Sequence, residues 1–468
     1  MFPLLILDDS VSNVVARVLR HGYRDDDPES VIALLVFALG QLAVESAFDP
    51  RAGINGSVCH GTAERPSGLE IFNEARWRTS TIATQRCLFN VQIMLLQATY
   101  FEACARHADF WSSVSAASMA CRYLVRSQPM DWSSTQGELV KRAYWVCVLH
   151  ERLLDIDLKI ACTGIQDLED QVPLPHFHEY VPRAGRMGGL SSDSTQLVSA
   201  EELNDYAYHS SALIALSRLL RRAENLIYDC EPCVDENGSL WQEAIYQNDV
   251  GATVGSIHAT NYKELPSYLI EELIHQLESW RAALPPQLQW NDSERFDLKA
   301  AREPNSYSQQ SISNHLPAIG SGGAGYDMDM AAAHLRTRFY HAQFLIYRPF
   351  VYKALHFPEL TTADDRVKCS YAIITACVWP LFLLPFNHKK HPVRHLFARA
   401  QSFMGMLYIL RLCQQDGFMS EICSDSGITK EDIQSSSSLT AEWLEDVREV
   451  DGIADWCMRV MGVLLTCP

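Results

Sequence analysis

The stretch Lys141-Arg142-Ala143-Tyr144-Trp145-Val146-Cys147-Val148-Leu149-His150-Glu151-Arg152 decides how this chain is read. Two cations open it, an acid and an arginine close it, and an apolar and aromatic run lies between. At helical spacing Trp145, Val148, Leu149 and Leu153 share one face, and Glu138 stands one turn before Arg142. Thr135 and Glu138, three apart and just ahead of the run, satisfy the capping-box pattern. The spacing predicts an amphipathic core helix from about Thr135, with Trp145 buried against a neighbouring helix.

Helical signals continue on both sides. Val31 to Val44 is apolar nearly all round, the mark of a buried central helix. Tyr268 to Trp280 places Ile270, Leu273, Leu277 and Trp280 at helical spacing, and Pro285-Pro286 closes it. Asp329 to Arg348 reads as a long helix stopped or kinked by Pro349. A last helix is expected from about Thr440 to Leu465. Segments rich in Gly and Ser at Pro182 to Ser199, Asn291 to Gly325 and Cys423 to Ser438 read as loops. Alternating strands are scarce and no fixed-period repeat stands out. The expected fold class is all-α, a multi-helix array forming a single large helical body over residues 1–468 with long surface loops.

Hydrophobic residues make up 47% of the 468, enough for a large core. Length alone suggests about three domains, but helical arrays run longer as one body. The 14 cysteines are scattered, as where thiols stay reduced. The opening apolar stretch meets Asp8 and Asp9 without a basic flank, so no signal peptide is expected. Membrane spans are not expected: Val31 to Gly40 is too short, and Pro380 and Pro385 interrupt Ala372 to Phe386.

Charge bears on nucleic acid. Against 39 Lys and Arg stand 57 Asp and Glu, a net of −18, so phosphate is repelled unless a local basic face exists. Arg218, Arg221 and Arg222 lie opposite the stripe Leu213, Leu216, Leu220, Ala223 and Ile227 and read as a solvated helix face. Lys389, Lys390, Arg394 and Arg399, interspersed with His388, His391 and His395, read as a solvated loop and helix start. No specific DNA binding is expected from this chain, and no DNA-binding residue is assigned.

Candidate chemical motifs each have a plainer reading. Asp25-Asp26-Asp27-Pro28-Glu29 matches an Asp-Asp-x-x-Glu magnesium motif of terpene synthases. Asp27 is also a natural N-cap, Pro28 a first helical residue and Glu29 a first-turn acid. The second motif fails, because Asn204-Asp205 meets Tyr208 and Asn248-Asp249 meets Ala252 where a hydroxyl ligand is wanted. Gly320, Gly322 and Gly325 match G-x-G-x-x-G, yet no strand precedes them. Cys230 and Cys233 form one C-x-x-C pair without a second, and Asp229, Glu231 and Asp235 oppose thiolate formation. His150 and His341 read as satisfied core histidines. No base, nucleophile and orienting partner occur together, so no catalytic, cofactor-binding or metal-binding residue is assigned, and the chain is not expected to be an enzyme.

Taken in order, the motifs resemble a known family. Ala33 to Gly40, Phe72 to Arg76, Gln92 to Leu96, Trp111 to Leu124 and the Lys141 to Arg152 stretch are similar to successive pieces of the fungal-specific transcription factor regulatory domain. That domain is the middle homology region of zinc binuclear cluster regulators. Gly164 with Asp167, Asp170 and Val172-Pro173-Leu174-Pro175 resembles its Gly, acidic, Pro-Leu-Pro segment. Leu277 to Trp280 with Leu284-Pro285 and Leu288, then Tyr340-His341 and Ile346-Tyr347-Arg348-Pro349-Phe350, resemble its later blocks. The likeness is strongest over about 31–355, and 356–468 reads as a C-terminal helical extension of the same body.

The resemblance implies an all-helical regulatory domain of a nuclear transcriptional regulator, controlling a gene set such as a secondary-metabolite cluster. The family's zinc cluster is not expected here, since the chain opens Met1-Phe2-Pro3-Leu4-Leu5-Ile6-Leu7; zinc, the family's cofactor, belongs to that module. Either the regulator is naturally shortened or the start of its gene has been misassigned or removed. Expected partners are co-regulators or a DNA-binding partner protein, then a small-molecule effector and a homodimer mate; no membrane is expected. The alternative is a small-molecule-binding protein or enzyme that reuses the helical fold.

Overall fold

The computed structural model describes residues 8–48, 66–82, 87–127, 129–158, 163–176, 200–228, 267–290, 328–380, 396–448 and 451–466. The fold is all-α: fourteen α-helices and no strand lie among the described residues. They are α1 (Asp8–His21), α2 (Pro28–Phe48), α3 (Leu69–Ile82), α4 (Leu88–Ala103), α5 (His107–Ser127), α6 (Thr135–Leu158) and α7 (Ala200–Ile227). Then come α8 (Ser267–Ala282), α9 (Met328–His356), α10 (Ala363–Val378), α11 (Leu396–Gln415), α12 (Gly417–Asp425), α13 (Lys430–Val447) and α14 (Gly452–Thr466). Short 3-10 turns occupy Ile165–Leu168, Pro286–Leu288 and Pro358–Leu360. No described helix is long and apolar enough to cross a membrane. The loops read at Pro182 to Ser199 and Asn291 to Gly325 lie outside the described residues, as do Cys230, Cys233 and Gly320 to Gly325.

Burial organises these helices around two large apolar cores and a small third cluster of Ala212, Leu284, Leu288, Ala331 and Leu335. Helices α2 to α6, the turn at Ile165–Leu168 and the first part of α7 build one core, centred on Phe72, Tyr100, Phe110, Tyr144 and Trp145. The remainder of α7 joins α8 to α14 in the other, around Phe339, Ile346, Trp379, Phe403 and Trp443. Helix α7 therefore feeds both, with Ala207 and Ile214 in the first and Leu216, Leu220, Ala223 and Ile227 in the second. A polar latch adds to this join. His107 at the start of α5 meets the fully buried Asp451, Nε2 to Oδ2 2.5 Å. The other Asp451 oxygen accepts the Ile453 and Ala454 N–H groups (2.9 and 2.8 Å) and so caps α14.

Helix α2 is buried all round over its first half only: Val31 to Leu35, Ala38 and Leu39 are buried, whereas Gly40, Gln41, Ala43 and Val44 are exposed. Asp27 caps it by accepting from the Ser30 N–H (3.1 Å) and is paired with Arg17 (2.7 Å), so the plainer reading of the Asp-rich motif is the observed one. Beside α2, Gly68 adopts a left-handed φ of 72°, and a Cβ there would come within 2.6 Å of the Ala38 carbonyl oxygen. Only glycine permits that approach.

Two sequence readings near the end are corrected. The Ser-rich run expected as a loop is helical, because Thr429 and Asp432 form a reciprocal capping box that starts α13. Ser436 is fully buried and its hydroxyl donates to the Cys377 carbonyl, so the run supplies small side chains where α13 meets α10. The single helix expected from Thr440 to Leu465 is two helices, since Asp451 caps a fresh start at Gly452.

Candidate functional site

The Lys141 to Arg152 stretch lies at the centre of α6 and is more deeply buried than an amphipathic helix requires. Every residue from Val140 to Val148 is buried, while Leu149, placed on the apolar face by spacing, is only partly so. Its start also differs from the expected capping box. Ser134 accepts the Gly137 N–H at 3.0 Å and is the residue before the helix; Thr135 is already helical. Gly137 is required there, since a Cβ would sit 2.1 Å from the Asp131 carbonyl oxygen.

Glu138, released from capping, neutralises the basic opening of the stretch. Its carboxylate accepts from Lys141 Nζ (2.7 Å), Arg142 Nε (3.0 Å) and the His176 N–H (3.1 Å). Lys141 and Arg142 are 1% and 3% exposed, so this acid serves two cations removed from water. Aromatic groups on the same helix use their polar ends on the segment that follows. Trp145 Nε1 donates to the Pro173 carbonyl (3.1 Å) and the Tyr144 hydroxyl to the Ile165 carbonyl (3.1 Å). Burial raises the Tyr144 pKa, keeping the phenol a donor.

The acid-Arg close is equally engaged. Glu151 accepts from the Thr163 hydroxyl (2.6 Å) and N–H (3.2 Å), and Arg122 donates to the Thr163 carbonyl (2.6 Å). Gly164 follows with φ 76°, and a Cβ would lie 2.9 Å from the Arg122 guanidinium. Arg221 donates to the Gln166 carbonyl (3.1 Å) and to Glu169 (3.3 Å), and Arg218 also approaches Glu169 (3.6 Å). These arginines are therefore not simply a solvated face: α7 turns Arg221 and Arg218 toward the acidic segment, and Arg222 is exposed.

A second centre gathers the later motif residues on α9. His341 is buried, stacks on Trp379 (centroids 5.6 Å) and lies 3.4 Å from the Ser402 hydroxyl; burial pushes its pKa down to about 3. His150 is likewise buried, edge-on to Phe110 at 5.3 Å. Both are core histidines, as read from their helices. Arg399 departs from its expected solvated position: it is 9% exposed, and burial pushes its pKa down to about 9. The rest of that basic cluster, His388 to His395, lies outside the described residues.

Pro349 neither stops α9 nor ends its packing, and the helix runs on to His356. Proline has no N–H for the Leu345 carbonyl one turn earlier. The Tyr228 hydroxyl fills that role, donating to the Leu345 oxygen at 2.6 Å, while the Arg348 guanidinium lies 4.9 Å from the Tyr228 ring centroid. Tyr228→Phe should therefore cost about 1–3 kcal/mol, the desolvation penalty of a carbonyl left without its donor. In a Pro349→Ala background, where the backbone regains an N–H at that position, the same change should cost clearly less. Equal costs in both backgrounds, measured by urea unfolding, would refute the pairing.

Sequence reasoning named the motif residues but not the links between them. Arg152 pairs with Glu224 on α7 (3.5 Å), and Tyr228, one turn beyond Glu224, reaches Leu345. No spacing rule could find these contacts. Among the described residues the carboxylates of these centres are engaged with cations or hydrogen-bond donors, and no nucleophile, base and orienting group converge. Comparison of the chain with protein-family models, curated proteins and solved structures found no match in any of the three.

Proposed function

We propose that this chain is the helical regulatory body of a transcriptional regulator, akin to the fungal-specific transcription factor regulatory domain. It acts in the nucleus on a gene set such as a secondary-metabolite cluster, through co-regulators or a DNA-binding partner rather than by reading DNA itself. One observation carries the reading: motif pieces far apart in sequence are tied together by hydrogen bonds and an ion pair. Trp145 of the signature helix holds Pro173 of the Pro-Leu-Pro segment, and α7 continues the connection from Arg152 to the Leu345 carbonyl beside the Arg-Pro-Phe element. A net charge of −18 supports action through protein partners over phosphate contacts.

The test fuses the full chain to an unrelated DNA-binding domain and reads a reporter carrying that domain's site in a fungal cell. A change in output, up or down, relative to the DNA-binding domain alone is expected. Unchanged output with the fusion present at normal abundance in the nucleus would reject the regulatory reading and favour a binding protein or enzyme on this fold.

A further inference from the structure

Helices α8 and α10 both pack on α9, and together they turn an aromatic and acidic face to solvent. Contacts one turn apart set the two helices parallel. The Ser267 hydroxyl donates to Asp364 (3.0 Å), and Lys368 Nζ pairs with Asp364 (2.5 Å) and lies 3.6 Å from Glu271. Beneath this junction Tyr347 of α9 is buried and meets the Tyr371 ring at 5.3 Å between centroids. Burial raises the Tyr347 pKa to about 12, and Tyr371, Glu278, Asp364 and Glu271 add to the shift, so carboxylates of both helices act on this phenol. Large side chains here point outward: Tyr268 is 73% exposed, Val367 51% and Tyr371 46%. Along α10, Asp364, Val367, Tyr371 and the partly buried Ile374 recur at steps of three and four residues, the spacing with which one helix lies on another. No helix among the described residues covers that stripe.

We propose that this face of α8 and α10 is a docking surface for an arginine-bearing amphipathic helix of a partner protein. Charge complementarity selects that occupant. Glu271, Glu278 and Asp364 stand against the single ammonium of Lys368, itself buried, so the groups beside the exposed aromatic rings are net negative. Arginine answers both features, because a guanidinium pairs with carboxylates and also stacks on aromatic rings. Apolar side chains on the same helix would cover Val367 and Ile374. A second copy of this chain fits less well, since a two-fold contact sets the patch against itself and opposes carboxylate to carboxylate. Nucleic acid is repelled by the same charges. The surface stands independently of the regulatory reading.

The experiment follows the fluorescence anisotropy of three labelled synthetic helical peptides titrated with the full chain at physiological salt. One carries arginine and leucine on a single face, the second has glutamate for arginine, and the third has serine for leucine. The first should bind tighter than either of the others, and its binding should weaken as salt rises. Glu278→Lys and Tyr371→Ser should each weaken it by about tenfold or more. Glu70→Lys makes the same charge change at an exposed site on α3 and should alter binding by less than about twofold. Both Glu278 and Tyr371 are exposed, so their replacement spares the core, and circular dichroism checks each fold. Equal binding of the first and third peptides, an equal loss in Glu70→Lys, or parental binding in the folded Glu278→Lys and Tyr371→Ser variants would overturn the surface. So would no binding by the parent, or a parent dimer that Tyr371→Ser dissociates, which would assign the face to a second copy.

Discussion

Replacing Trp145 with alanine is expected to destabilise the protein by about 3–5 kcal/mol, the range for deleting a large aromatic from a packed core. The indole is 1% exposed, meets the Tyr144 ring edge-on at 5.3 Å, and spends its only donor on the Pro173 carbonyl. Alanine therefore removes packing on α6 and the tie to the Pro-Leu-Pro segment together. A loss of this size is a large share of ordinary domain stability, so cellular abundance should fall with it. Urea unfolding, abundance and reporter output measured on the same variant separate the causes. Collapsed output with parental stability and abundance would make Trp145 part of a functional surface and sink the packing account.

Glu138→Ala is expected to cost a similar amount, about 3–5 kcal/mol, through electrostatics rather than volume. Lys141 and Arg142 are both nearly inaccessible to water, and Glu138 is the carboxylate that both contact. Removing it leaves two cations in a site that cannot hydrate them. Glu138→Gln tests the cause, since it keeps the shape and most of the hydrogen-bonding capacity but not the charge. If Glu138→Gln unfolds at the parental urea concentration, charge neutralisation is not what the site needs.

The Glu138 site shows where sequence reading stops. Its pairing with Arg142 is a four-residue relation on one helix and was legible from spacing. Its contact with the His176 N–H spans 38 residues and was not. Capping gives the same lesson at closer range. Thr135 and Glu138 match the pattern, yet Ser134 caps, because Gly137 lets the preceding turn approach where no Cβ could fit. By contrast the Thr429–Asp432 box is a three-residue local relation that the loop reading of Cys423 to Ser438 did not use; a buried serine can be a helix-packing residue as readily as a loop residue.

What the sequence determined alone is the helical character of the chain and the buried identity of the residues in its periodic runs. Ile270, Leu273 and Leu277 are buried on α8, and Trp145, Val148 and Leu153 on α6, because a 3.6-residue period fixes which side chains share a face whatever that face meets. Only the tertiary structure decided how those faces are joined. Tyr228 and Leu345 are 117 residues apart, and His107 and Asp451 are 344. The same holds for Arg399, buried although its grouping with Lys389, Lys390 and Arg394 reads as a solvated loop and helix start. A side chain's need for a partner is local chemistry, but which partner it finds depends on how helices distant in the chain come to pack.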